Sequence, residues 1–195
     1  MGATTMTDAA PWYEHLRERY RPDRVRLLLV AESAPDPGGA ERRFFYAPVL
    51  SAHDNLFRGV VRALYGTSPG RKADDKTPWL ERLRDDGVFL IDLVPSPVDK
   101  LTSGARASAR RQGVRPCIET ITRLDPSGIV VCHAPTFRLL RGPLRDARLP
   151  LLHVDPIPFP LGNWREEFVA GVRDALGRSD DASLRSLCRS RWEPE

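Results

Sequence analysis

The side chains with chemistry to offer fall in four clusters, each directly behind an apolar run: Ala31-Glu32-Ser33-Ala34-Pro35, Asp92 with Pro95-Ser96-Pro97, Cys132-His133, and Asp155 through Asn163. Glu32 and Asp92 bring carboxylates, which can stabilise developing positive charge, orient a water or move a proton. His133 adds an imidazole fit for general acid work, and Ser33 places a hydroxyl beside Glu32. The prolines and Gly162 around Leu161 form a rigid, exposed turn. Each residue also has a plainer reading. Glu32 is then a surface-loop acid, Asp92 a buried acid paired to an arginine, His133 a hydrogen-bonded strand-end histidine, and Leu161 a packing residue.

The elements that must position these groups are legible in the apolar pattern. Val25 to Ala31, Val88 to Val94, Gly128 to His133 and Leu151 to Val154 are nearly unbroken rather than alternating, as strands buried on both faces of a parallel sheet are. The segments between them are long enough for crossover helices. Leu56, Val60, Val61 and Leu64 recur at helical spacing. Thr77 as N-cap with Pro78 at the first position predicts a second helix, stopped by Gly87. Ser103 to Arg123 predicts a third with Val114, Ile118 and Ile121 inward, an arginine-rich outer face, and a break or kink at Pro116. Asn163 as N-cap, with Glu166 three residues on, predicts a helix through Phe168, Val169, Val172 and Leu176, and a short one spans Asp181 to Arg189. Ser33 to Glu41 and Thr67 to Lys76 read as loops. In an open α/β sheet the ligand sits beyond the carboxyl ends of the strands, which is where all four clusters stand. The expectation is one α/β domain over 1–195, three layers with a central, mostly parallel four-stranded sheet flanked by helices, and a frayed tail over 1–10.

Composition narrows the function classes. With 41% hydrophobic and 29% charged residues and no apolar run of the ~18 residues a span needs, a membrane-spanning helix is not expected. Met1 to Ala10 lacks the basic start and apolar core of a secretory signal, so a cytoplasmic protein is expected. Cys117, Cys132 and Cys188 are odd in number and carry no C-x-x-C, which argues for reduced thiols over disulfides or zinc. The net charge of +4 permits a polyanionic partner without demanding one.

The four clusters, taken in this order, resemble the uracil-DNA glycosylase superfamily. That superfamily carries G-Q-D-P-Y or G-E-x-P-G after its first strand, and Ala31-Glu32-Ser33-Ala34-Pro35 is similar, with Glu32 on the second position and Ser33 on the water-positioning third. Phe44-Phe45-Tyr46 looks like the aromatic segment that stacks on an extruded base, and Asn55-Leu56-Phe57-Arg58 like the helix after it. Pro158-Phe159-Pro160-Leu161-Gly162 resembles the H-P-S-P-L-S loop, with Leu161 on the leucine that wedges into the duplex. Three positions depart from the pattern: Ile157 fills the histidine's place, Ala34 a proline's, and Asp92 the place where uracil readers have asparagine.

The resemblance implies a glycosylase-like enzyme that hydrolyses the N-glycosidic bond of a flipped, damaged or deaminated base in single- or double-stranded DNA. It implies no metal or organic cofactor, since the iron-sulfur branch needs four cysteine ligands, and a monomer is expected. Glu32 and Ser33 would be catalytic, Phe44, Phe45, Tyr46 and Asp92 would hold the base, and Leu161 with Pro158 and Phe159 would enter the strand. Ser96, Asn163, Arg106, Arg110 and Arg111 would contact phosphates. Two rivals stand beside it. One is a catalytically weak or inactive member that binds nucleic acid, motivated by Ile157 and Asp92. The other is a small-molecule α/β hydrolase using Glu32 and Asp92, although no G-x-G-x-x-G, P-loop or G-x-S-x-G is present.

Overall fold

The computed structural model describes residues 12–35, 44–70 and 73–188; the expected tail over 1–10 and most of the loop after Ser33 lie outside them. Three parallel strands form the sheet in the order β2-β1-β3, with β1 (Leu27–Ala31) between β2 (Val88–Asp92) and β3 (Gly128–Val131). Leu27 pairs with Val88 on one side and Gly128 on the other, and Ala31 pairs with Asp92. All five residues of β1 are buried, as the unbroken apolar run requires of a central strand.

The expected fourth strand is reduced to a single parallel bridge, Ile129 to Leu151. Ile129 N–H donates to the Pro150 carbonyl at 2.9 Å and Leu152 N–H to the Ile129 carbonyl at 3.0 Å. The next ladder position is taken by a side chain, because Val131 N–H donates to His153 Nε2 at 3.0 Å. An imidazole in place of a backbone carbonyl ends the pairing there.

Helices cover the sheet: α1 (Trp12–Arg19), α2 (Asn55–Tyr65), α3 (Thr77–Asp85), α4 (Ser103–Leu124), α5 (Ala134–Asp146), α6 (Arg165–Gly177) and α7 (Ala182–Ser186). In α3, Thr77 is the first helical residue rather than the cap, and Asp75 Oδ1 accepts its N–H at 2.8 Å. In α4 the chain passes Pro116 without interruption, contrary to the expected break. Pro116 and Gln112, four residues earlier, are both exposed, so water can serve the carbonyl that loses its donor. Gly113 lets α4 close on the end of β2: a Cβ there would stand 2.4 Å from the Leu93 carbonyl oxygen. Asn163 belongs to a 3-10 turn, Gly162–Trp164, so α6 begins one residue later than its capping pattern suggests. Among the described residues no helix is long and apolar enough to cross a membrane. Cys117, Cys132 and Cys188 are free thiols.

Candidate functional site

Because the strands are parallel and in register, the residues that follow them emerge at one rim. Glu32, Asp92 and His133 all line a single cleft of about 660 Å³ at that rim, together with Ser33. Phe44, Phe45 and Phe57 form an aromatic side of the cleft, and Pro158, Phe159, Leu161 and Trp164 stand along another. Cavities of this size, apolar with a few convergent polar groups, suit small molecules or single bases.

Glu32 emerges directly after β1 and meets α4. Arg106 and Arg110 are one turn apart on that helix and therefore share a face. Arg106 donates through Nε to Oε1 at 2.7 Å and through Nη2 to Oε2, while Arg110 Nε also donates to Oε1. Burial alone would push Glu32 up, but these hydrogen bonds outweigh it and hold the carboxyl below its ordinary range. Glu32 is thus an ionised group inside a cluster of net charge +1. Arg106 and Arg110, expected to contact phosphates, are both engaged by this carboxylate, and Arg106 also lines the cleft. Arg111, on the next helical position, is exposed and outside the cleft.

Asp92 ends β2 with its side chain only 4% exposed. Its Oδ2 accepts a hydrogen bond from Arg17 Nη2 on α1, and the same guanidinium binds Glu14. Burial pushes Asp92 up to about 6, with Arg17 pulling the other way. Tyr13, also on α1, donates its hydroxyl to the Pro95 carbonyl at 2.9 Å and pins the loop after β2. A helix absent from the apolar pattern therefore supplies the counter-ion of the deepest carboxylate.

The aromatic segment divides. Phe44 and Phe45 line the cleft, whereas Tyr46 turns into the core, where its hydroxyl accepts from Leu90 N–H at 2.6 Å and donates to the Leu90 carbonyl at 3.2 Å. Tyr46, expected to hold the base, is buried and does not line the cleft. Beneath the segment lies Lys76, fully buried. Its Nζ donates to the Phe44 carbonyl at 3.0 Å and to Asp54 Oδ2 at 3.2 Å, and sits 4.3 Å from the Phe57 ring centroid. Asp54 Oδ2 also accepts from Ser51 N–H at 2.8 Å. Burial lowers Lys76 to about 8 against the pull of Asp54. This ion pair ties the aromatic segment to the start of α2.

The loop before α6 explains the departure at Ile157. That side chain is buried and packs on α6, within 3.2 Å of where a Cβ on Gly171 would stand. Position 157 therefore faces the core rather than the cleft. Leu161 and Trp164 are 59% and 58% exposed at the cleft mouth, and Phe159 stands beside them. Trp164 escaped the sequence reading because it falls within a helix-start pattern. Ser96 and Asn163 are exposed, and neither lines the cleft.

His133 precedes α5, and its Nδ1 is 2.9 Å from the hydroxyl of the buried Thr136. Burial holds the imidazole below its ordinary value, opposed by Glu32 and reinforced by Arg110 and Arg106. It is a neutral ring beside an ionised carboxylate. The carboxylates of Glu32, Asp54 and Asp92 are paired with Arg106 and Arg110, Lys76 and Arg17, Glu14 shares Arg17, and Asp99 also lines the cleft, so the cleft has a polar floor without a large net field. No family model, curated protein or solved structure matches the chain, so what the site does must be read from its geometry.

Proposed function

We propose that the cleft receives a base turned out of a DNA strand and that the protein is a glycosylase-like hydrolase of its N-glycosidic bond. The observation that carries this reading is the convergence of Glu32, Asp92, Phe44, Phe45 and Leu161 on one cleft at the carboxyl rim of the sheet. Phe44 and Phe45 offer ring surface for stacking, and Asp92 offers an edge-reading carboxyl. Leu161 and Trp164, exposed at the cleft mouth, would serve as the wedge that holds the vacated space.

In the proposed reaction the bond between C1′ and the base nitrogen breaks, its electron pair leaves with the base, and a water oxygen bonds to C1′. The water's proton passes through Glu32 or solvent to the departing base. Glu32 accepts a hydrogen bond from that water, although its two arginines lower its basicity. The net positive charge of the Glu32–Arg106–Arg110 cluster favours the anionic leaving base more than the cationic sugar. The role of Glu32 is therefore water orientation rather than cation stabilisation.

A binding protein without catalysis is the second reading, favoured by the buried Ile157 and the doubly engaged Glu32. Incubation with duplexes each holding one deaminated or alkylated base, followed by alkaline cleavage of abasic sites, separates the two. Strand scission at one lesion supports the enzyme. Salt-dependent DNA affinity without scission supports the binder, and the absence of both refutes the nucleic-acid reading.

A further inference from the structure

A second cavity of about 390 Å³ opens between α2 and α6, and Asn55, the first residue of α2, lines both it and the main cleft. Its floor is Gly59, Pro160 and Val169, and its walls carry Arg58, Arg62 and Arg165. Among the described residues no carboxylate lines it. Arg58 Nη1 is aimed by two neutral acceptors, the Pro69 carbonyl at 2.9 Å and the Gly70 carbonyl at 2.8 Å. Among the described residues, Arg165 Nη2 reaches the amide oxygen of Asn55, at 3.4 Å. Arg62 alone meets an acid, Glu166, whose side chain is 70% exposed. Among the described residues, three oriented guanidiniums thus share one carboxylate.

We propose that this groove is a phosphate subsite, holding phosphodiester groups of the strand whose nucleotide occupies the main cleft; the inference rests on the nucleobase reading of that cleft. The guanidinium fork matches phosphate oxygens, and carbonyl partners fix its direction without cancelling its charge. From Asn55 to Arg62 is about 10 Å along the helix at 1.5 Å per residue, so the arginines form a track leading away from the cleft. The polar groove continues the apolar cleft, as a backbone path continues a base pocket.

The test measures affinity for a fluorescent single-stranded 12-mer of DNA against salt concentration. Arg58→Gln with Arg165→Gln should reduce the slope of log K on log salt by about 1.4, close to 0.7 per lost phosphate contact on a single strand. Arg58→Lys, which keeps the charge and can still reach the 69–70 carbonyls, should retain most of the slope. Glu166→Gln should tighten binding at least about threefold by releasing Arg62. The matched charge change Glu119→Gln, on an exposed pair of α4, should not. An unchanged slope in the double variant, or equal tightening by Glu119→Gln, overturns the subsite. Thymidine 5′-monophosphate binding as tightly as the 12-mer assigns the groove to a terminal phosphate and overturns the strand reading. Base excision with an unchanged slope refutes the subsite alone, whereas a reduced slope without excision or base specificity refutes the nucleobase reading alone.

Discussion

Replacing Asp92 by asparagine separates the electrostatics of the cleft from its recognition chemistry. The carboxyl rises from its ordinary 3.8 to about 6, because burial outweighs the Arg17 pair. The native state therefore holds its proton more tightly than the unfolded chain. A raised carboxyl pKa contributes stability that is complete below about 4 and is lost as pH rises through about 6. Roughly two pKa units correspond to about 3 kcal/mol. Asparagine removes this titration while leaving Arg17 its Glu14 partner. The stability of the wild-type protein relative to Asp92→Asn should thus fall by about 3 kcal/mol between pH 4 and pH 7.5, measured by urea unfolding across that range. The recognition readout should move with it. An ionised Asp92 only accepts hydrogen bonds, whereas uracil presents a carbonyl oxygen beside its N–H. Uracil excision should be weak at neutral pH, increase below about pH 6, and be raised at pH 7.5 by Asp92→Asn. A stability difference that grows with pH would show a carboxylate held low by Arg17 and refute the argument. Efficient uracil excision at about pH 8 that is abolished in Asp92→Asn would refute the base-reading role.

Lys76→Met leaves the Asp54 carboxylate buried without its cation and should cost about 3–5 kcal/mol in urea unfolding, with Asp54→Leu in the same chain recovering much of it. A cost below about 1 kcal/mol for the single change would show the pair to be dispensable. Because Arg106 and Arg110 are engaged by Glu32, replacing them together with Arg111 should lower the salt slope of DNA binding by no more than about 1, the same as Arg111→Gln alone. A loss of about 3 would return all three to phosphate contact. Leu161→Ala and Trp164→Ala should each weaken binding to a lesion-bearing duplex by about 1–3 kcal/mol, measured by fluorescence anisotropy, while leaving the melting temperature unchanged. Unchanged affinity in both would remove the loop from the interface.

The sheet and the location of the cleft were legible because β1, β2 and β3 are unbroken apolar runs, and parallel strands put their following residues on one side. The helix α1 was not, because its buried face is made of Tyr13 and Arg17, and an arginine on the inward face erases the apolar period. The helix α5 carries Phe137, Leu140 and Leu144 at helical spacing, but Pro135, Gly142 and Pro143 mask them. Leu151 to Val154 has the composition of a strand, and only the position of the His153 imidazole shows why pairing stops. The partners within the site were equally hidden. Arg106 and Arg110 are readable as one helix face, yet their acceptor lies more than 70 positions away in sequence. Lys76 sits in a segment polar enough to read as loop, and its burial depends on the aromatic segment folding over it.

The central claim, that this cleft cleaves the bond between a base and its sugar, is tested most directly under single turnover. Free base and abasic strand would be quantified together from the panel of lesion duplexes, for the wild-type protein and for Glu32→Gln. The account predicts equimolar free base and abasic strand for one class of lesion, with release slowed at least about tenfold in Glu32→Gln. No free base from any duplex at saturating protein, or release that is undiminished in Glu32→Gln, would contradict it.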